Sequence, residues 1–262
     1  MNVSEETFQN SVKKIAYLFI GESFRSGTQG SRIIGQPQSY DSQKKATESH
    51  IKLMNHIKNK YNYDADIYIS SVTTCYTTDL LSWYSPVIAS TFIKQEYSSI
   101  HYHIKNSIKL IKNKEEYSHI FIFRIDLVFK DYMIEILNPN TIIKFTFPTI
   151  CFIPLHKVKG TGLPRINGMF FLIPNKYFNL LSYYNINYEH NTWSDFVRQQ
   201  KATNADFDVL IDTYHDSDPY KDWNPLYYLC CRDENTTWHT KGYIFNKKTL
   251  EPECKEITYL SM

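Results

Sequence analysis

The chain has 262 residues, of which 42% are hydrophobic and 21% are charged, and its formal net charge is +2. This composition supplies enough apolar side chains for a sizeable core. The small net charge provides no strong electrostatic field that would attract nucleic acid or an anionic membrane. The five cysteines show no C-x-x-C spacing, so we expect reduced thiols rather than a disulfide framework or a thiolate zinc site. One globular domain over residues 1–262 is the expectation.

The first strand is predicted at the apolar run 15–20, which ends at Gly21 as buried strands of α/β sheets do. This run is too short for a signal peptide or a membrane span, so the sequence predicts a cytoplasmic protein. A polar, glycine-containing stretch over 22–40 follows. Its length and composition predict a lid or a ligand-binding loop.

The next elements extend the pattern to a β-loop-α-β unit. A helix is predicted over 42–59 and a strand over 66–72, with Asn62 and Asp64 as turn residues before that strand. A second helix is predicted over 96–113, where isoleucines recur at helical spacing. This alternation indicates an α/β fold with a central sheet flanked by helices.

The most strongly marked strand is predicted over 119–129, whose sequence is HIFIFRIDLVF. It is apolar throughout except for Arg124 and Asp126, two positions that face the same side of an extended chain. One or two further strands are predicted within 141–154 and another over 169–173.

The last third of the chain carries weaker signals. Helices are predicted from about 176 to 184, over 193–200 and over 206–214, and strands near 243–245 and 257–260. No internal repeat divides the chain, which agrees with one domain.

Arg124 and Asp126 are the candidate site residues because a charge removed from water is costly unless it is paired or binds something. Ligands of open α/β sheets bind beyond the carboxyl ends of the strands, where Gly21, the segment 71–74 and Asp126 would converge. A carboxylate there suits a divalent cation on a diphosphate, and a guanidinium matches phosphate oxygens. The alternative is an internal Arg124–Asp126 salt bridge.

Four segments occur in the order LFIGESFR, DIYISSVTT, HIFIFRIDLVF and NGMFFLIPNKYF. This order resembles glycosyltransferases of bacterial surface polysaccharides and large-virus glycans, whose strand-end motif reads R-x-D-L. The resemblance covers roughly residues 14–178 and implies a GT-A-like, Rossmann-type sheet. It implies a nucleotide-sugar-binding half at about 14–130 and an acceptor half at about 131–262. The implied reaction moves a sugar from a UDP- or GDP-linked donor to a hydroxyl of a glycan acceptor.

The same resemblance assigns eight residues to the donor site: Gly21, Glu22, Arg25, Ser71, Val72, Thr73, Arg124 and Asp126. The first three would lie in the loop beside the nucleotide, the next three would line the base or ribose, and the last two would contact the diphosphate. Asp126 would also hold Mn²⁺ or Mg²⁺. Because the motif has one carboxylate rather than two, the alternative is that Arg124, Arg25 or Arg32 neutralises the leaving diphosphate.

An inverting transfer needs a base that takes the proton of the acceptor hydroxyl. Six aspartates crowd residues 206–222, and Asp218 and Asp222 are the favoured candidates, although helix caps and turns also use this residue type. Asn167 is a candidate ligand of a sugar hydroxyl, or simply part of an Asn-Gly turn. The aromatic residues of the second half could stack on the acceptor or fill the core.

Two other function classes are compatible with the same residues. One is a non-catalytic module that binds a nucleotide or a sugar. The other is a metal-dependent nucleotidyltransferase or phosphate-ester hydrolase that uses Asp126, which would release pyrophosphate or orthophosphate rather than a nucleoside diphosphate.

Overall fold

The computed structural model describes residues 13–26, 33–148 and 170–178, together with the backbone of five later strands. The strands are β1 (Lys13–Gly21), β2 (Arg25–Ser26), β3 (Ile33–Ile34), β4 (Tyr63–Val72), β5 (Ala89–Ile93), β6 (His119–Arg124), β7 (Leu127–Phe129), β8 (Phe145–Pro148), β9 (Phe170–Pro174), β10 (Phe207–Ile211), β11 (Tyr228–Cys230), β12 (Thr237–Trp238), β13 (Tyr243–Phe245) and β14 (Pro252–Glu253). The α-helices are α1 (Tyr40–Tyr61), α2 (Thr77–Trp83), α3 (Ile100–Leu110) and α4 (Asp131–Ile136).

Seven strands form one mixed sheet in the order β10-β8-β9-β6-β1-β4-β5. The neighbours β6, β1, β4 and β5 run parallel, whereas β9 runs antiparallel to both β6 and β8. Helices connect the parallel strands, as such crossovers require. The predicted α/β fold with a central sheet is therefore confirmed.

Both faces of the sheet are covered, which explains why β1 is apolar throughout rather than alternating. Tyr17 and Phe19 pack on the face that α1 and α2 cover, and Leu18 and Ile20 pack on the face that α3 covers. Among the described residues, no helix has the length and apolarity needed to cross a membrane.

The β-loop-α-β start is confirmed, with one correction at its second strand. Asn62 ends α1 in the left-handed conformation, at φ 58°, and its N–H donates to the carbonyl of Lys58. Asp64, predicted as a turn residue, instead lies inside β4. The single left-handed residue Asn62 connects α1 directly to β4, so a turn of several residues is not needed.

The predicted strand over 119–129 is broken. It divides into β6 and β7 because the chain turns at Ile125 and Asp126, where the Ile125 N–H donates to the carbonyl of Ile20 at 2.8 Å. After the turn, β7 leaves the central sheet and pairs antiparallel with β11. Arg124 and Asp126 therefore do not lie on one extended chain, contrary to the prediction.

Other boundaries also differ from the predictions. The helix predicted over 96–113 is shortened to α3, after a 3₁₀ turn at Gln95–Tyr97, and α2 and β5 were not predicted. The 206–214 segment contains strand β10 rather than a helix, since its Phe, Val and Ile residues suit the parallel pairing with β8.

The remaining predictions divide between the described residues and the rest of the chain. A 3₁₀ turn at Asn175–Tyr177 stands where the 176–184 helix was predicted to begin, and the strands at 169–173 and 243–245 are confirmed as β9 and β13. The predictions for 193–200 and 257–260 lie outside the described residues.

Candidate functional site

Three neighbouring strands end at the same edge of the sheet. In the parallel register, Ile20 stands opposite Arg124 on one side and opposite Ser70 on the other, and Gly21 stands opposite Ser71. The carboxyl ends of β4, β1 and β6 therefore meet, as expected for the ligand edge of an open α/β sheet. We call this edge, with its residues 21–25, 71–73 and 124–126, the carboxyl edge.

Arg124 and Asp126 form a two-pronged ion pair across the turn that follows β6. The Arg124 Nε donates to Asp126 Oδ1 at 2.9 Å, and Nη2 donates to Oδ2 at 2.5 Å. Only 19% of the arginine side chain and 5% of the aspartate side chain are exposed. The internal salt bridge considered as an alternative is thus present, and the aspartate holds the guanidinium in a fixed orientation.

A second buried ion pair lies in the loop after β1. Arg25 Nη1 is 3.2 Å from Glu22 Oε2, and the two side chains are 9% and 6% exposed. Between them Phe24 adopts a left-handed backbone at φ 50°, an uncommon conformation for a bulky residue. The carboxyl edge therefore concentrates two arginines, two carboxylates and a strained residue within the ends of two neighbouring strands.

Gly21 begins this loop at φ +107°, a conformation that other residues rarely adopt. Apart from Gly21 and its two chain neighbours, no heavy atom of the described residues lies within 4 Å of the place where a Cβ would stand on Gly21. The glycine therefore turns the chain and leaves its backbone open to close approach.

The three predicted residues after β4 have different environments. The Ser71 hydroxyl accepts from the Ser23 N–H at 3.1 Å and donates to the Ser23 hydroxyl at 2.8 Å, and Ser71 is fully buried. Val72 is also fully buried. Thr73 is exposed, with its N–H donating to Ile93 at 2.8 Å. Ser71 therefore ties the β1 loop to β4, and Thr73 presents its side chain at the edge.

Gln43 of α1 is a site residue that the sequence reasoning missed. Its Oε1 accepts from the Phe24 N–H at 3.1 Å, and its Nε2 donates to the Ile125 carbonyl at 2.9 Å. The side chain is 2% exposed. The available signal was its position one turn before Ala46, on the core-facing stripe of the helix, where a polar residue must find partners.

Two buried histidines near the edge are neutral structural groups. His50 stacks on Phe19 at 4.5 Å and hydrogen-bonds Tyr84, and burial lowers its pKa to about 3. The His103 ring bridges the hydroxyls of Ser70 and Ser98 at 3.0 Å each, and burial lowers its pKa to about 4.

The residues that the structure describes do not form a preformed metal site. Among them, no group of three or more His, Cys, Asp or Glu side chains could hold a metal ion. Both oxygens of Asp126, the predicted metal ligand, already accept from Arg124. A cation would have to replace that guanidinium on at least one oxygen.

Other predicted residues lie outside the described part of the chain: Arg32, Asn167, Asp218 and Asp222. The C-terminal half of the chain nevertheless contributes β11 next to the carboxyl edge. In this strand Cys230 stands opposite Leu127, the residue after Asp126. A strand far along the sequence thus lies directly beside the R-x-D turn.

No protein-family model and no curated protein matches this chain. A protein from Desulfovibrio desulfuricans, assigned as a nucleotide-diphospho-sugar transferase, is 11% identical over 76% of this chain and 80% of that chain, with a TM-score of 0.46. The glycosyltransferase GlyE of Streptococcus pneumoniae is 11% identical over 74% of this chain and 45% of that chain, with a TM-score of 0.36. The catalytic domain of Drosophila β1,4-galactosyltransferase 7 is 11% identical over 93% and 82%, with a TM-score of 0.39.

The similarity to these nucleotide-sugar glycosyltransferases is at low identity and with TM-scores below 0.5, so it adds no evidence about what this chain does. The chain spans less than half of the length of GlyE. A mutant of the Drosophila enzyme was solved with manganese, UDP-Gal and xylobiose. Likeness at this level concerns the general arrangement of strands and helices, so the roles of individual residues have to come from this chain.

Proposed function

We propose that this chain is a glycosyltransferase that moves a sugar from a nucleotide-diphosphate donor to a hydroxyl of a glycan acceptor. One observation carries the proposal: two ion pairs, Arg124–Asp126 and Glu22–Arg25, are buried at the edge where the strands β4, β1 and β6 end. Buried ion pairs add little net stability, so their concentration at a ligand edge favours a role in binding.

The arginines suit the chemistry of the leaving group. When the bond between the anomeric carbon and the diphosphate breaks, negative charge develops on the diphosphate oxygens, and a fixed guanidinium stabilises it. Asp126 holds Arg124 by two hydrogen bonds and so prepares its orientation before the donor binds. Arg25 would supply the second positive charge, and the open backbone at Gly21 would allow the donor to approach.

The acceptor half is proposed from the sequence and from the position of β11. In an inverting transfer, a new bond from the acceptor oxygen to the anomeric carbon forms as the donor bond breaks, and the hydroxyl proton passes to a carboxylate. Asp218 or Asp222 is proposed for that base and Asn167 for a sugar hydroxyl. We also propose one domain over 1–262, with a donor half at about 14–130 and an acceptor half at about 131–262.

The cation predicted at Asp126 does not fit the described residues, because Arg124 occupies both carboxylate oxygens. The proposal therefore routes no step through Mn²⁺ or Mg²⁺ and gives the neutralising role to Arg124. Assays with and without each cation test this choice.

The proposal is tested by incubating the protein with UDP- and GDP-linked sugars, alone and with glycan acceptors, and by analysing the products. We expect a free nucleoside diphosphate, with water as a slow acceptor when no glycan is present. Release of pyrophosphate or orthophosphate would instead identify the nucleotidyltransferase or hydrolase alternative. Tight binding of a donor without turnover under any condition would identify a binding module.

A further inference from the structure

Gln43 connects the two loops that carry the buried ion pairs. Its amide oxygen accepts from the N–H of Phe24, which lies between Glu22 and Arg25. Its amide nitrogen donates to the carbonyl of Ile125, which lies between Arg124 and Asp126. One buried side chain from α1 therefore contacts the middle of both charged segments.

The contact on the first loop stabilises an unfavourable backbone conformation. Phe24 has φ 50°, and its carbonyl accepts from the Gly35 N–H at 2.9 Å and from the Ser39 hydroxyl at 2.8 Å. With Gln43 on its N–H, both polar backbone groups of Phe24 are held in place. A left-handed bulky residue persists only where its surroundings over-determine it.

The contact on the second loop adds a hydrogen bond to the turn after β6, which is already hydrogen-bonded to β1. The Ile125 N–H donates to the carbonyl of Ile20 in β1, and the Ile125 carbonyl accepts from Gln43. Ile125, which separates Arg124 from Asp126, is thus hydrogen-bonded to β1 through its N–H and to α1 through its carbonyl. Gln43 therefore links the backbone beside Arg124 to the backbone beside Arg25.

We infer that Gln43 is a positioning residue that sets the spacing of the Arg25 and Arg124 guanidiniums and thereby the selectivity for a diphosphate over a monophosphate. This inference rests on the proposed function. A diphosphate engages both arginines only when their spacing matches its two phosphoryl groups. A nucleoside monophosphate has a single phosphoryl group and is much less sensitive to that spacing.

The test measures calorimetric affinities of UDP, UMP, GDP and GMP for the wild type and for Gln43→Met. Methionine has a similar length but offers neither hydrogen bond. We expect the ratio of diphosphate to monophosphate affinity to fall about tenfold, a size common for residues that act through a contact network. Gln43→Leu is the second variant, because it removes both hydrogen bonds without adding a charge. Its ratio should fall as well.

Thr47→Val is the matched control. Thr47 lies one turn further along α1, is buried, and donates to the carbonyl of Gln43 within its own helix. This variant perturbs the same helix without removing a bond to either loop, so its affinity ratio should equal that of the wild type. A changed stability alone would alter both affinities through the folded fraction and would leave the ratio unchanged.

The outcomes separate the two proposals. If the wild type prefers a diphosphate and both Gln43 variants keep the same ratio, the positioning role is wrong and the proposed donor site survives. If Thr47→Val lowers the ratio as much as Gln43→Met does, helix perturbation explains the effect and the inference fails. If the folded wild type binds none of the four nucleotides, the proposed function fails and the inference falls with it.

Discussion

The central sheet has polar networks both at the edge where its parallel strands begin, the amino edge, and at the carboxyl edge. The two networks differ in how far their side chains are buried. Toward the amino edge, Lys14 Nζ is 3.2 Å from Asp66 Oδ2, the Tyr117 hydroxyl donates to the same oxygen at 2.6 Å, and the Lys14 and Asp66 side chains are 40% and 16% exposed. At the carboxyl edge, the side chains of both ion pairs are between 5% and 19% exposed.

The difference indicates separate physical roles. Water and salt screen the amino-edge pair, so it contributes little to stability and its loss is tolerated. The carboxyl-edge pairs have lost most of their hydration, and apolar side chains of similar volume would usually serve stability as well or better. Charges kept under those conditions are candidates for function, and the strained Phe24 beside them adds to that argument.

The largest expected effect is the response to Arg124→Met at the carboxyl edge. The change leaves the buried Asp126 carboxylate without its guanidinium, and breaking a buried pair in this way costs about 3 kcal/mol or more. Urea unfolding of the variant and the wild type measures the loss. Adding Asp126→Asn removes the leftover charge and should restore much of the stability. If the single variant is as stable as the wild type, the pair is effectively solvated and the contrast between the edges disappears.

The next prediction concerns the loss of stability at low pH that the two buried histidines cause. Burial lowers the pKa of His50 to about 3 and of His103 to about 4, whereas both titrate near 6.5 when unfolded. As the pH falls below about 6.5, the unfolded chain binds protons that the folded chain does not, so stability decreases until the folded pKa is reached. Each histidine contributes a slope of about 1.4 kcal/mol per pH unit in that window.

The variant His103→Gln isolates one of these slopes. Glutamine keeps hydrogen-bonding capacity toward Ser70 and Ser98 but does not titrate. Between about pH 6 and about pH 5, its free energy of unfolding should fall by about 1.4 kcal/mol less than that of the wild type. Equal slopes would show that His103 protonates in the folded protein as readily as in the unfolded chain.

The smallest expected effect belongs to the amino edge. Lys14→Met removes a cation that is 40% exposed, and the loss of such a pair changes stability by about 0.5 kcal/mol or less. Binding of nucleotides should not change, since Lys14 is the second residue of β1 and lies at the opposite end of that strand from the carboxyl edge. A loss comparable to that of Arg124→Met would remove the distinction between the two edges.

Much of the fold was predictable because its strands are buried on both faces. Continuous apolar runs identified β1, β6 and β9, and the amphipathic pattern identified α1. The break between β6 and β7 could not be read from an apolar run, since Ile125 continues the apolar pattern although the chain turns at Ile125 and Asp126. β10 was mistaken for a helix because only its pairing with β8 decides between the two.

The site was predictable in its charges and unpredictable in its connections. Arg124 and Asp126 could be recognised in the sequence because they interrupt an apolar strand. The hydrogen bonds between them form across the turn, which the sequence pattern does not show. Gln43 is 82 residues from Ile125 in sequence, so no local pattern connects the two. Side-chain bonds between distant segments depend on tertiary packing, which spacing along the chain does not encode.

The most direct test of the proposed donor site is the change in melting temperature that UDP, GDP and their sugar conjugates cause, with and without manganese. It should be measured for the wild type and for the double variant Arg124→Met with Asp126→Asn. A ligand that binds only the folded state must raise the melting temperature. We expect a rise with at least one nucleoside diphosphate in the wild type and none in the folded double variant. An equal rise in both proteins, or no rise in the wild type with any ligand, would contradict it.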